Sequence, residues 1–336
     1  MNTLDVLYTS DNRYLDIMLG SIASLIRNSQ VENICVHIIS ANLNRNDYEK
    51  IVRFFSKYPN VKYNIYPLEE FDIEKYHIPD WRNTQIANAR LFFTDIMREK
   101  ISGIENLLYL DSDTCVVGDL TSLDQFQDVT IGACKDNNCL ELLKKYQIPM
   151  YYNSGVLFIN IDRWVEEKCK EKILEEIYHP HTELNFPDQD IINIALQRDI
   201  EALPIQYNLM PYEYLFDSID ERLFFNSSIK CRSYQEVEEA LACPKIYHGC
   251  GLVGIKPWSN NTINPFNEMF MRYILDVNPD FEMEELTSFQ KLLDRHPFLL
   301  KKALVLKTYL PQSLYDLIGE MSMKMQKIRP KQYRKQ

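Results

Sequence analysis

Apolar positions in the first third of the chain come in short blocks, each closed by turn-forming residues and followed by helical spacing. Leu4-Asp5-Val6-Leu7-Tyr8-Thr9 predicts a strand that stops at Ser10-Asp11-Asn12. Tyr14, Ile17, Met18, Ser21, Ile22 and Leu25 then recur on one face of a 3.6-residue repeat. A second strand over Ile34–Ile39 precedes a helix from about Arg45 to Phe55, and Val61–Tyr66 alternates with period two. Ala87–Met97 predicts a helix and Leu107–Leu110 another strand. This order is that of an α/β domain with a mostly parallel sheet flanked by helices. Further on, Val156–Asn160 reads as a buried strand, Asp162–Tyr178 and Asp188–Ala195 as helices, and Lys245–His248 as a last short strand. Beyond Phe266 the pattern turns helical. We therefore expect one α/β unit over residues 1–265 and a small helical C-terminal extension over 266–336.

Composition adds three constraints. A chain of 336 residues, 46% hydrophobic and 25% charged, has ordinary globular content and can bury a large core. Its net charge of −11 argues against a nucleic-acid partner, which would need surplus Lys and Arg. The charge is uneven: residues 300–336 hold nine Lys and Arg against Asp316 and Glu320, leaving the remainder near −18. The eight cysteines form no CxxC pair and sit mostly in apolar runs, as free thiols do in a reducing compartment. With no basic n-region at the start and no run of about 18 apolar residues, a soluble cytoplasmic protein is expected.

The chemistry concentrates where predicted strands end. Leu107-Leu108-Tyr109-Leu110 leads into Asp111-Ser112-Asp113, and in extended backbone the two carboxylates project the same way. They make half of a divalent-cation site suited to Mg²⁺ or Mn²⁺, or else a solvated turn. Asp11, in the turn Thr9–Tyr14, can accept from a base N–H or simply cap a helix. Arg90, within an apolar helix face, is either a surface cation with a buried stem or a clamp for phosphate and carboxylate. Gly155 opens a buried strand to close backbone approach, and Asp188 is either a site residue or a helix cap. From His248 a Gly-rich loop leads to Lys256-Pro257-Trp258, where backbone N–H groups and an ammonium can cradle a pyrophosphate. An imidazole also draws a site's preference from Mg²⁺ towards Mn²⁺.

In this order the segments resemble the family 8 glycosyltransferases, a retaining group with the GT-A fold that includes lipopolysaccharide galactosyl- and glucosyltransferases. Tyr109–Asp113 is similar to the family's DxD element, Ile131–Asp136 to its xGAxxD segment and Tyr152–Asn160 to its FNxGvllxN segment. Asp188–Asp190 is similar to DQD, and His248 with Lys256-Pro257-Trp258 to HxxG…KPW. Arg13 stands where the family often has Asn. The resemblance implies a GT-A catalytic domain in which Asp111, Asp113 and His248 bind Mn²⁺, with Mg²⁺ as the second choice. It implies that Thr9, Asp11 and Tyr14 meet the uridine of a UDP-sugar and that Gly251 and Lys256 hold its diphosphate. Arg90, Asp136, Asn153, Asp188 and Gln189 would surround the sugar. The implied activity is retaining transfer of glucose or galactose to a glycan or lipid-linked saccharide, by front-face substitution beside Gln189 and Asp188 or through a covalent intermediate on Asp190. The alternative is a UDP-sugar-binding protein that is non-catalytic or hydrolytic. The basic C-terminal region is either a peripheral contact with the inner membrane leaflet or a packed helix with a solvated end.

Overall fold

The computed structural model describes residues 3–80, 84–136, 140–180, 182–215, 233–250, 254–296 and 298–302. Its strands are β1 (Thr3–Asp11), β2 (Asn33–Ala41), β3 (Lys62–Pro67), β4 (Asn106–Asp111), β5 (Thr114–Val116), β6 (Ile131–Lys135), β7 (Tyr152–Asn160), β8 (Ile200–Ala202) and β9 (Ile246–His248). Seven of them form one sheet in the order β3-β2-β1-β4-β7-β6-β8, while β5 and β9 make a separate ribbon. β3, β2, β1 and β4 run parallel, β7 is antiparallel to β4 and β6, and β8 is parallel to β6. This is the mostly parallel α/β sheet that the alternation of elements predicts. Its central strands read as near-continuous apolar runs because both faces are covered. Val6, Tyr8, Leu108 and Leu110 enter one core layer, and Leu7, Leu107 and Tyr109 the other.

The helices are α1 (Leu15–Asn28), α2 (Arg45–Ser56), α3 (Phe93–Met97), α4 (Leu140–Tyr146), α5 (Ile161–Glu166), α6 (Cys169–Tyr178), α7 (Pro187–Ala195), α8 (Tyr234–Ala242), α9 (Asn267–Val277) and α10 (Ser288–Arg295). α2, α8 and α10 begin with reciprocal capping boxes on Asn44, Ser233 and Thr287. Two helical expectations change in detail. Ala87–Phe92 is a 3₁₀ helix that becomes α3 only at Phe93, and the Arg90 Nε–H donates back to the Ala87 carbonyl at 3.0 Å. The span 162–178 is split between α5 and α6 by Lys168, whose φ of 54° is left-handed. Across that break Cys169 and Ile173 stay buried in the same core cluster as Ile161 and Trp164 of α5.

Packing continues across residue 265. Phe266, Phe270, Met271, Tyr273 and Ile274 share a core with Leu15, Met18 and Ile22 of α1. Asn28 donates to the Tyr273 hydroxyl at 2.7 Å, and Asn278 to Asp16 at 2.8 Å. Among the described residues no helix is long and apolar enough to cross a membrane. The basic segment beyond Lys302 lies outside the described residues.

Candidate active site

β4 ends at Asp111, whose register partner on β1 is Thr9, so both carboxyl ends open on the same side of the sheet. Open α/β sheets bind ligands there. The chain turns at Ser112 and Asp113 into β5, and the ribbon pairs Thr114 with His248. The last short strand thus brings an imidazole from far along the chain to the acidic pair. Nε2 of His248 is 3.3 Å from Asp113 Oδ1 and 3.6 Å from Asp111 Oδ2. One ligand atom from each of the three residues lies within 4.8 Å of the others. Gly155 on β7 makes room for this cluster. A Cβ there would lie 2.2 Å from His248 Cε1 and 2.8 Å from Asp111 Oδ2, which no side chain tolerates.

Two carboxylates and one imidazole fit Mn²⁺ or Mg²⁺ better than a soft metal, so these residues fit the divalent ion that the sequence resemblance implies. The imidazole is oriented for such a role. Asn208 Oδ1 is 2.9 Å from His248 Nδ1, and the Asn208 amide is fixed in turn by donating to Asn153 Oδ1 at 2.8 Å. With Nδ1–H donating to Asn208, Nε2 is turned to the carboxylates: protonated, it donates to Asp113, and without its proton it is the nitrogen that would hold a metal. Burial opposes charge at Asp113, but Lys256 and His248 outweigh it and hold the carboxyl far below the usual range. Burial likewise opposes charge on His248, and Cys250 and Asp113 push it well above its ordinary value. Lys256 Nζ reaches Asp113 Oδ2 at 2.6 Å.

Arg90 is buried and joins two carboxylates. It stands 2.8 Å from Asp111 and 3.1 Å from Asp188, and donates to the Ser154 carbonyl at 2.9 Å. It is therefore a clamp rather than a surface cation, and Asp111 and Asp188 keep its charge fixed despite burial. Burial pushes the Asp188 carboxyl up, against the pull of Arg90. Gln189 accepts from the Ser154 N–H at 2.9 Å and from Asn153 Nδ2 at 3.2 Å, while its own amide lies 3.4 Å from Asp136. Asn153, Asp136, Asp188 and Gln189 thus gather with Arg90 beside the acidic pair. Asp190 differs. It is fully buried and accepts from Tyr146, Tyr151 and the backbone N–H groups of Asn185 and Phe186.

In the first turn Asp11 accepts from the Arg13 backbone at 3.0 Å and from its guanidinium at 2.6 Å. Tyr14 packs edge-on against Trp258, with ring centroids 5.7 Å apart. The Thr9 hydroxyl is 2.9 Å from Tyr109, whose own hydroxyl donates to Asp111 at 2.8 Å. Gly251 lies outside the described residues. Tyr109, Ser154 and Asn208 were not singled out from the sequence. Tyr109 sits in the strand register behind Asp111, and Asn208 lies in a short irregular segment whose pattern carries no signal.

The sequence profile of Glycosyl transferase family 8 matches residues 5–262. General stress protein A of Bacillus subtilis is 26% identical over 286 residues, covering 81% of this chain and 93% of that protein. A lipopolysaccharide 1,2-glucosyltransferase of Escherichia coli K12 is 24% identical over 273 residues, covering 78% of this chain and 75% of that enzyme. In structure the chain is similar to galactosyltransferase LgtC solved with donor and acceptor sugar analogues. That match has a TM-score of 0.64 at 21% identity, over 82% of this chain and 96% of LgtC. A strand order built around a DxD pair, carried by a chain whose profile match spans most of its length, has one consequence for identity: this protein is a member of glycosyl transferase family 8 and a GT-A glycosyltransferase.

Proposed function

We propose that the protein is a retaining hexosyltransferase that moves glucose or galactose from a UDP-sugar to a saccharide of a lipid-linked glycan such as lipopolysaccharide, with Mn²⁺ as its metal. The observation that carries this reading is the convergence of Asp111, Asp113 and His248 within 4.8 Å, at the carboxyl ends of the strands and with Lys256 beside them. When bound, a divalent ion would neutralise charge on the donor's diphosphate as the glycosidic oxygen departs. The chain's own residues supply the rest. Lys256, held 2.6 Å from Asp113, brings a second cation to the same oxygens. Asp11 accepts an N–H of the base, with the exposed Arg13 guanidinium beside it. Arg90 fixes Asp111 and Asp188 relative to each other, so the sugar meets a preset polar wall with Asn153 and Asp136.

Retention by front-face substitution fits the surroundings of the DQD segment. A double-displacement path needs a carboxylate nucleophile facing the anomeric carbon. Asp190 is 0% exposed and its oxygens are engaged by four donors, and Gln189 offers an amide, a poor nucleophile. The departing phosphate oxygen then takes the acceptor proton.

The test is a thermal-shift and calorimetric panel of UDP-glucose, UDP-galactose and other nucleotide-sugars, with and without Mn²⁺, on wild type and Asp113→Ala. One UDP-sugar should stabilise the wild type only with Mn²⁺, by about 2.7 kcal/mol at a concentration 100-fold above its Kd, and should not stabilise the variant. Stabilisation independent of both the metal and Asp113 would overturn the donor-site assignment. Release of free hexose at equal rates with and without any saccharide acceptor would favour hydrolysis instead.

A further inference from the structure

A second cluster of ligating side chains lies at the other end of the sheet. Asp5 on β1 pairs in register with Cys35 on β2, and His37 follows two residues later on the same face of the strand. Ligand atoms of Asp5, Cys35 and His37 all lie within 4.8 Å of one another. Asp5 is four residues upstream of Thr9, the register partner of Asp111, so about 13 Å of extended strand separates it from the acidic pair.

The chemistry of this set differs from that of the acidic pair. A thiol, an imidazole and a carboxylate are the donors of zinc sites, where bond lengths of about 2.0–2.3 Å place neighbouring ligand atoms about 3.4 Å apart. The observed spacing reaches that geometry with small side-chain shifts. We infer that Asp5, Cys35 and His37 form a binding site for a thiophilic divalent cation of the zinc class, distinct from the sugar-transfer site.

The supporting residues are already in place. The His37 side chain is 3% exposed; its Nε2 is 2.9 Å from Asp5 Oδ1 and its Nδ1 is 2.9 Å from the Tyr66 hydroxyl. A tyrosine hydroxyl both donates and accepts. It can donate to Nδ1 while Nε2–H bonds Asp5, and accept from Nδ1–H once Nε2 turns its lone pair to a metal. The tautomer change leaves no buried group unpartnered. Asn64 donates towards Cys35 Sγ at 3.7 Å, the N–H partner that a metal thiolate uses. Asp5, with 19% side-chain exposure, and the half-buried Cys35 leave a way in from solvent.

The experiment uses the full chain, stripped with a chelator and titrated with Co²⁺ as the spectroscopic probe, then with Zn²⁺ in competition. A thiolate-to-cobalt charge-transfer band should appear in the near ultraviolet and be bleached by Zn²⁺. The band should vanish in Cys35→Ser, and Zn²⁺ affinity should fall by more than about 100-fold, because a ligand contributes more than the 10–100-fold of a residue that supports one. It should persist in Cys250→Ser, which tests the thiol next to His248, and in Asp113→Ala, which tests the other cluster. Asp5→Asn provides a second variant, with the fold of each checked by circular dichroism, and should weaken Zn²⁺ by at least about tenfold, the least that a residue supporting a ligand contributes. A folded wild type without the band, a band that survives Cys35→Ser, or unchanged affinity in Asp5→Asn would overturn the assignment. None of these readings depends on sugar transfer.

Discussion

Gly155 is the residue on which the acidic cluster depends most directly, because it contributes only space. A Cβ at that position meets His248 and Asp111 well inside van der Waals distance. Gly155→Ala should therefore displace the imidazole from the carboxylates, costing about 1–3 kcal/mol of stability by overpacking. Mn²⁺-dependent nucleotide binding should be lost in the protein that still folds, as calorimetry at a temperature well below unfolding would show. Asn208 acts through His248 rather than on any ligand. Asn208→Ala removes the acceptor at Nδ1 and should weaken metal binding by about 10–100-fold, with about 1–3 kcal/mol of stability lost because a buried N–H is left unpaired. A metal titration followed by protein fluorescence measures it, and an unchanged affinity would show that the tautomer is held some other way. These two residues also mark what the sequence discloses. Gly155 was legible because it interrupts an apolar strand pattern. Asp111 and Asp113 were legible because alternation along a strand forces two carboxylates onto one side. Asn208 was not, since its value comes from the bridge of Leu209 to Tyr247, a pairing of separate segments that no local pattern encodes.

The elements explain why a DQD segment can look like three site residues and behave as two kinds. α7 starts at Pro187, so successive residues point in different directions around its first turn. Asp188 and Gln189 turn towards Arg90 and Ser154, while Asp190 turns inward to Tyr146, Tyr151 and two backbone N–H groups. Burial pushes the Asp190 carboxyl up, and those donors hold it back. On the proposed front-face reading it is a positioning residue that anchors the helix start, near the end that favours negative charge. Asp190→Asn replaces an acceptor by an amide among donors and should cost about 1–3 kcal/mol, read as a shift in urea midpoint at unchanged slope. The folded fraction should keep nucleotide-sugar affinity and lose activity only modestly. Complete loss of turnover with stability intact would instead restore a covalent role. Apolar spacing does not distinguish the 3₁₀ form of Ala87–Phe92 from an α-helix, and the Arg90 side-chain bonds to Ala87 and to β7 that accompany it are not encoded in that spacing.

At the scale of the whole molecule, the question is whether the region after residue 265 is an appendage. The apolar pattern from Phe266 onward predicts a helix but cannot say what the helix packs against. In the fold, α9 lies along α1, and Gly20 comes so close that a Cβ would touch Ile274 Cγ1 at 3.0 Å. Phe266, Phe270 and Ile274 are 1%, 3% and 1% exposed. Burying a side chain of this size contributes about 1.5–3 kcal/mol, and Met271 and Tyr273 add to the same layer. Such a sum is comparable with the entire stability of a typical domain, about 5–15 kcal/mol. α1 is also the helix that follows the Asp11 turn of the proposed donor site and faces Thr114 through Ser21, at 3.0 Å. A chain cut after residue 265 should therefore lose cooperative unfolding and metal-dependent nucleotide binding together. Ile274→Ala in the full chain should cost about 2–5 kcal/mol while leaving binding measurable in the folded fraction. Circular dichroism melts of both proteins decide it. A sharp transition in the 1–265 fragment, with ligand stabilisation intact, would make the C-terminal helices an independent unit after all.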